Sequence, residues 1–323
     1  MKYLYVLVSN LADYYSEQAF LSIYSLKLKT PNAFISLLVD NQTAEYLKTE
    51  FQELIKSVDE FKEVELDSKY TNKEKSRILK TTMRQHIEGD FLFIDCDTVI
   101  CEDLSEIEKC EFDIGCVLDT HVPMSRHSFH DWIIRNYKKC GFEESLSSDF
   151  HFNSGVIYCK DNSKVKHFFD DWYTLWKTSY EKGIDIDQPA FNQANVINHN
   201  IISEISNKWN CQLVHGGFKY ILEAKIIHYF ASNKYFKSPY ILADNAILKE
   251  IRLQKAIPNK YADLVSNSRV AIDEQSTLLS SDISREIFDH QPFREIVYIY
   301  NKHSFLYKIL RVCFFIYGKL HRG

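Results

Sequence analysis

The run Phe91-Leu92-Phe93-Ile94-Asp95-Cys96-Asp97-Thr98-Val99-Ile100 decides how the rest of the chain is read. Apolar residues lead into two carboxylates that flank a cysteine, and then the sequence turns apolar again. A short apolar run of this kind, preceded by the turn residues Glu88-Gly89-Asp90, predicts a buried strand. Side chains alternate along a strand, so Asp95 and Asp97 are expected on one side and Cys96 on the other. Neighbouring carboxylates repel and raise each other's pKa unless a cation lies between them. The stretch therefore predicts either a divalent-metal site at a strand end or a strand that stops at a solvated acidic turn.

Upstream, the pattern alternates. Strands are expected over 3–8, 34–39 and 63–66, and helices over 14–28, 43–58 and 72–86. Regular strand–helix alternation predicts a parallel sheet with covering helices. Ligands of such sheets gather at the carboxyl ends of strands, where Ser9, Asn10, Asp40, Asp95 and Asp97 would meet. The helix before the acidic run carries Lys73, Arg77, Lys80 and Arg84 on one face. Such a stripe is usually a solvated face; phosphate contact by one member, Arg77 first, is the alternative.

Downstream, a strand over 112–118 ends in Asp119, and 121–149 reads as a loop-and-helix insert with His121, His127 and His130. His151-Phe152-Asn153-Ser154-Gly155-Val156-Ile157-Tyr158-Cys159 is a small polar cluster feeding a strand. A helix is expected over 165–176. Another opens at Asp185-Ile186-Asp187-Gln188-Pro189, where Asp187 has the position of an acidic N-cap. Trp209-Asn210 precedes a short strand, and a further strand over 224–230 holds His228, six residues before Lys234. An imidazole beside two carboxylates would favour manganese over magnesium.

Composition narrows the class. With 323 residues, 45% apolar and 26% charged, and only 9 Gly and 6 Pro, the chain is globular and long enough for one large domain or two small ones. A net charge of −5 gives no reason to expect nucleic acid. The eight cysteines form no C-x-x-C pair, and the first ten residues are too short an apolar run for a secretory signal. A cytosolic protein with reduced thiols is expected. Residues 240–300 look helical. From Asn301 on, Lys302, Lys308, Arg311, Lys319 and Arg322 occur with no acid, and Phe305, Leu306, Ile309, Leu310, Phe314, Ile316 and Tyr317 cover the other faces. Too charged to span a bilayer, this segment predicts a helix lying on an anionic membrane surface, on the inner face of the plasma membrane. The alternative is a terminal helix docked on the body.

Taken together, these pieces resemble the nucleotide-sugar transferases of the GT-A fold, and most closely glycosyltransferase family 8, the retaining galactosyl- and glucosyltransferases. The resemblance runs from about residue 3 to 236. Asp95-Cys96-Asp97 is similar to the family's D-x-D motif, Phe152-Asn153-Ser154-Gly155-Val156 to its F-N-[AS]-G-V turn, and Asp187-Gln188 to a D-Q pair lining the sugar. His228 stands where the family has a histidine metal ligand, and Arg77 and Lys234 where it has diphosphate-binding cations. The departures are Ala231 for a glycine, Tyr235-Phe236 for Pro-Trp, and Ser9-Asn10 where many members carry acids against the base or ribose.

The resemblance implies an α/β GT-A fold with a mixed central sheet. A catalytic domain would span 1–238, a helical extension 239–300 and the basic membrane-surface helix 301–323. It implies a metal ion, Mn2+ or Mg2+, held by Asp95, Asp97 and His228. A UDP-sugar would lie against Ser9, Asn10, Arg77, Asp119 and Lys234, with Asp187, Gln188 and Asn153 around the sugar. The acceptor would be a glycan or a lipid-linked saccharide. Two other readings stand beside it. Asp95-Cys96-Asp97-Thr98-Val99 also fits the nucleophile motif of haloacid-dehalogenase-type phosphatases, with Asp170-Asp171 as the second acidic pair. The altered His228-to-Lys234 segment also suits a non-catalytic nucleotide-sugar binder.

Overall fold

A computed structural model of the chain describes residues 1–230, 238–273 and 291–321. Its first half alternates as expected: β1 (Lys2–Leu7), α1 (Tyr15–Lys29), β2 (Phe34–Asp40), α2 (Asn41–Glu50), α3 (Gln52–Lys56), β3 (Glu60–Val64), α4 (Asn72–His86) and β4 (Phe91–Ile94). The single helix expected over 43–58 is two, because Phe51 leaves helical geometry at φ −145° and ψ 54° and buries its ring in the core. The third strand comes earlier than expected, at 60–64. Helix α4 starts and stops where the sequence places it. Thr71 and Glu74 form a reciprocal capping box, the Thr71 hydroxyl accepting from the Glu74 N–H and the Glu74 carboxylate from the Thr71 N–H.

The decapeptide is not one strand. It divides into β4 and β5 (Thr98–Ile100), and these lie in different sheets. The elements that follow are β6 (Ile114–Cys116), α5 (His130–Cys140), β7 (Val156–Cys159), α6 (Ser163–Glu181), α7 (Gln188–Ile197), β8 (Ile202–Glu204), β9 (Cys211–Gln212) and β10 (Ile226–His228). A seven-stranded sheet has the order β3-β2-β1-β4-β7-β6-β8. Strands β3, β2, β1 and β4 run parallel, whereas β7 is antiparallel to both β4 and β6. A three-stranded sheet, β5-β10-β9, stands beside it. The sheet is thus mixed and mainly parallel, with an apolar core on each side.

Two registers place the site. Antiparallel pairing sets Ile94 opposite Val156, and the Asp95 N–H continues the ladder by donating to the Gly155 carbonyl at 2.8 Å. In the small sheet His228 pairs with Thr98, and the Tyr229 N–H donates to the Asp97 carbonyl at 3.1 Å. Asp95-Cys96-Asp97 is therefore the crossing between sheets, tied on one side to the Asn153-Ser154-Gly155 turn and on the other to the His228 strand.

Beyond the sheets, α8 (Asn245–Gln254) and α9 (Asn259–Ser266) join the core around α1 through Ile247, Leu248, Ile251 and Val265. The Arg252 guanidinium pairs with the buried Glu17 carboxylate at 2.7 Å. The last described helices are α10 (Gln291–Lys302) and α11 (Ser304–His321). They touch through the Tyr300 and Tyr307 rings, 4.9 Å apart, and the Arg294 guanidinium lies over the Phe129 ring of the 121–149 insert. Helix α11 is exposed around its circumference, Phe305, Val312, Phe315, Tyr317 and Leu320 included.

Candidate active site

Asp95, Asp97 and His228 converge: one ligand atom of each lies within 4.8 Å of the others. The His228 Nε2 is 3.2 Å from Asp97 Oδ1. Burial opposes a charge on this ring, but the Asp97 and Asp95 carboxylates outweigh it and raise its pKa. Burial, with Asp97 beside it, likewise raises the Asp95 carboxyl, against the pull of Lys80. Cys96 points elsewhere, its thiol directed at the Val6 carbonyl. Two carboxylates and an imidazole nitrogen are a donor set suited to a divalent transition metal.

A second charge cluster abuts the first. Lys80, nearly buried, places its ammonium 3.3 Å from both Asp95 oxygens and 3.8 Å from Asp187 Oδ2, and 5.1 Å from the centre of the Phe93 ring. Asp187 also meets Arg77 Nε at 3.0 Å and accepts from the Ser154 hydroxyl at 3.0 Å. Burial works against its ionisation, yet Lys80 and Arg77 prevail and lower its pKa. Asp187 occupies the N-cap position of α7 but its side chain does not cap the helix. The expectation of a solvated cationic stripe is corrected here. Of its four members Lys80 and Arg84 are buried, and Arg84 spends its guanidinium on the Ile87 carbonyl and Asp161. Lys73 pairs with Asp185.

The remaining expected residues fall into three groups. Asn153 and Asp119 belong to a buried network: Asn153 Nδ2 donates to Asp119 Oδ1 at 2.8 Å, and His127 Nε2 lies 3.0 Å from Asp119 Oδ2. The Phe129 N–H donates to His127 Nδ1, so the ring's proton is on Nε2, aimed at Asp119. Burial would raise the Asp119 pKa, but His127, His151 and Asn153 hold it well below the usual carboxylate range. Gln188 meets His151 at 3.1 Å, and the Tyr137 hydroxyl meets the other nitrogen of that ring at 2.8 Å. Ser9 and Asn10 are engaged in the turn before α1: Ser9 accepts from Ser16, and Asn10 Oδ1 accepts from the Ala12 N–H. Lys234 lies outside the described residues.

Sequence reasoning missed Lys80 and Asn210 as site residues. For Lys80 the only signal was its place on the stripe; for Asn210 there was none. The phosphatase reading fails on position. Asp170 accepts from Gln85 and Asp171 from Asn198, both on α6 and apart from the Asp95 cluster.

Solved structures share this architecture. The galactosyltransferase LgtC, in complex with donor and acceptor sugar analogs, is similar with a TM-score of 0.51 at 11% identity, over 81% of this chain and 99% of that one. The bifunctional glycosyltransferase WbbM in its apo form has a TM-score of 0.54 at 15% identity, over 82% of this chain and 51% of that one. The fold is that of the GT-A glycosyltransferases. Residues 34–246 match the nucleotide-diphospho-sugar transferases, and the chain belongs to that family. Comparison with curated proteins yields no significant sequence match.

Proposed function

We propose that this glycosyltransferase is a metal-dependent hexosyltransferase of family 8. It would move galactose or glucose from a UDP-sugar to a glycan or lipid-linked saccharide, with retention, in surface polysaccharide or lipooligosaccharide synthesis. The observation that carries the reading is the meeting of Asp95, Asp97 and His228 from segments some 130 residues apart in sequence. These three residues would hold Mn2+ or Mg2+, the imidazole favouring manganese. A bound divalent cation supplies charge neutralisation for the departing diphosphate. Arg77 would add a guanidinium edge to the phosphates while Asp187 keeps its Nε side fixed, and Lys234 would add a further positive charge. Asp187 and Gln188 would orient the sugar. Asp187 is itself held by Lys80, Arg77 and Ser154, so it presents a fixed acceptor without reorganisation on binding.

The acceptor side of the reading rests on α11. Its exposed aromatic and aliphatic residues, with Lys308, Arg311 and Lys319, suit an anionic bilayer surface at the cytoplasmic face of the membrane. Among the described residues no helix is long and apolar enough to cross a membrane.

The test is release of UDP from UDP-galactose or UDP-glucose with Mn2+ present. Slow turnover that disappears in Asp97→Asn and in chelator supports the reading. Tight UDP binding without turnover of any donor would favour the non-catalytic binder.

A further inference from the structure

The hydrogen bonds around His228 can be oriented without ambiguity, because they begin at a backbone N–H. The Gly155 N–H can only donate, and it meets Asn153 Oδ1 at 2.9 Å. That identifies the Asn153 carbonyl oxygen and leaves its Nδ2 for Asp119. The second donor to Asn153 Oδ1 is Asn210 Nδ2, at 2.9 Å, so the Asn210 amide is oriented too. Its carbonyl oxygen then faces His228 Nδ1 at 3.1 Å, and a hydrogen bond there requires the proton on Nδ1. All four groups are buried. With Nδ1 protonated, Nε2 is the ring nitrogen directed at Asp97.

The same turn shapes the space for the ring. A Cβ added at Gly155 would lie 2.5 Å from His228 Cε1, 2.8 Å from its Nδ1 and 2.9 Å from Asn153 Oδ1. The backbone at Gly155 is thus the floor on which the imidazole rests.

We infer that Asn153 and Asn210 are positioning residues: they keep a proton on His228 Nδ1, so that Nε2 is the nitrogen that would bind the cation. Asn153 is then a strut between Gly155, Asn210 and Asp119. Partners of this kind fix ring orientation, and their loss weakens metal binding by roughly 10–100-fold. The inference rests on the metal reading of the site.

The test is Mn2+ affinity of the full chain, measured without substrate by the electron paramagnetic resonance signal of free Mn2+, alongside thermal melts. Asn210→Leu keeps the branched shape and the number of heavy atoms and removes the acceptor; it is expected to weaken Mn2+ binding tenfold or more. Asn210→Asp keeps an acceptor for Nδ1–H but sets an oxygen against Asn153 Oδ1. It is expected to melt lower than wild type yet bind Mn2+ within about threefold of it. Gly155→Ala, which displaces the ring, is expected to weaken binding as Asn210→Leu does. Equal Mn2+ affinity in wild type and Asn210→Leu would overturn the inference alone, as would losses that follow melting temperature in every variant. A wild-type protein that binds no Mn2+ would overturn the metal reading itself.

Discussion

Replacing Lys80 by Met separates two things its ammonium does at once. The thioether side chain keeps the packing against Phe93 and removes the charge. At 3.3 Å and an effective dielectric constant near 20, the attraction between Lys80 and Asp95 is about 5 kcal/mol. Asp95 is 28% exposed, so solvent screening reduces this, whereas Asp187, the second partner, is only 6% exposed. Truncating one member of a buried pair costs about 3–5 kcal/mol and an exposed one about 0–1 kcal/mol. A loss of roughly 2–3 kcal/mol is therefore expected for the metal-free protein in chemical denaturation. The same change leaves the Asp95 carboxylate without a competing cation. Mn2+ affinity should then rise about tenfold, equivalent to ~1.4 kcal/mol. Saturating Mn2+ should narrow the stability gap between variant and wild type by that amount. Calorimetric titration with Mn2+ and denaturation curves with and without the metal give both numbers. Mn2+ binding that is unchanged or weaker, with a stability gap that metal does not narrow, would refute the placement of Lys80 as a rival for Asp95.

Acid should destabilise the protein through the buried His151. Burial lowers the pKa of His151 from 6.5 to about 4, so the unfolded chain binds a proton there before the folded one does. Stability is full above pH 6.5 and falls as pH drops toward 4, by at most ~1.4 kcal/mol per pH unit for this group. A His151→Gln variant should show a shallower slope over that window in urea melts at stepped pH. Gly217→Ala should be strongly destabilising, because a Cβ there lies 2.6 Å from the Gln212 backbone, which has no side-chain freedom to yield. A thermal shift below that expected for ~1 kcal/mol would mean that β9 can move aside. Deleting residues 301–323 should abolish partition onto phosphatidylserine vesicles and leave UDP release in solution unchanged; sedimentation with the vesicles reads the first and a UDP assay the second.

How much of this was legible beforehand divides along sequence separation. Helix α4 was legible over 72–86 because its signals are local: a helical pattern that ends before the turn residues Glu88-Gly89-Asp90; the capping box at Thr71 and Glu74 is what the structure adds. The alternation that implies a parallel sheet is equally local. The break at Phe51 was not visible, because an aromatic residue in a helical pattern looks like helix until its ring is claimed by the core. The division of Phe91–Ile100 between two sheets was hidden for a similar reason. A continuous apolar run does not say which partner each half will find, and here β4 pairs with β1 and β7 while β5 pairs with β10.

That division is also what makes the site. Had the decapeptide stayed one strand, backbone alternation alone would have put Asp95 and Asp97 on a common face, and nothing would have tied that face to His228. Because the chain crosses between sheets at Asp95-Cys96-Asp97, each carboxylate is anchored by a different ladder, Asp95 through Gly155 and Asp97 through Tyr229. The positions of the two acids are thus set by two packing decisions made far apart in sequence, and Lys80 and Asn210 are recruited at their junction. Neither residue type carries a local signature for that task. A lysine on a stripe and an asparagine before a short strand acquire their roles only from the partners that the crossing brings within 3.3 Å and 3.1 Å. Motifs expose the atoms that do chemistry because those atoms need particular residue types; the groups that aim them need only the right place, and place is a property of the assembled sheets.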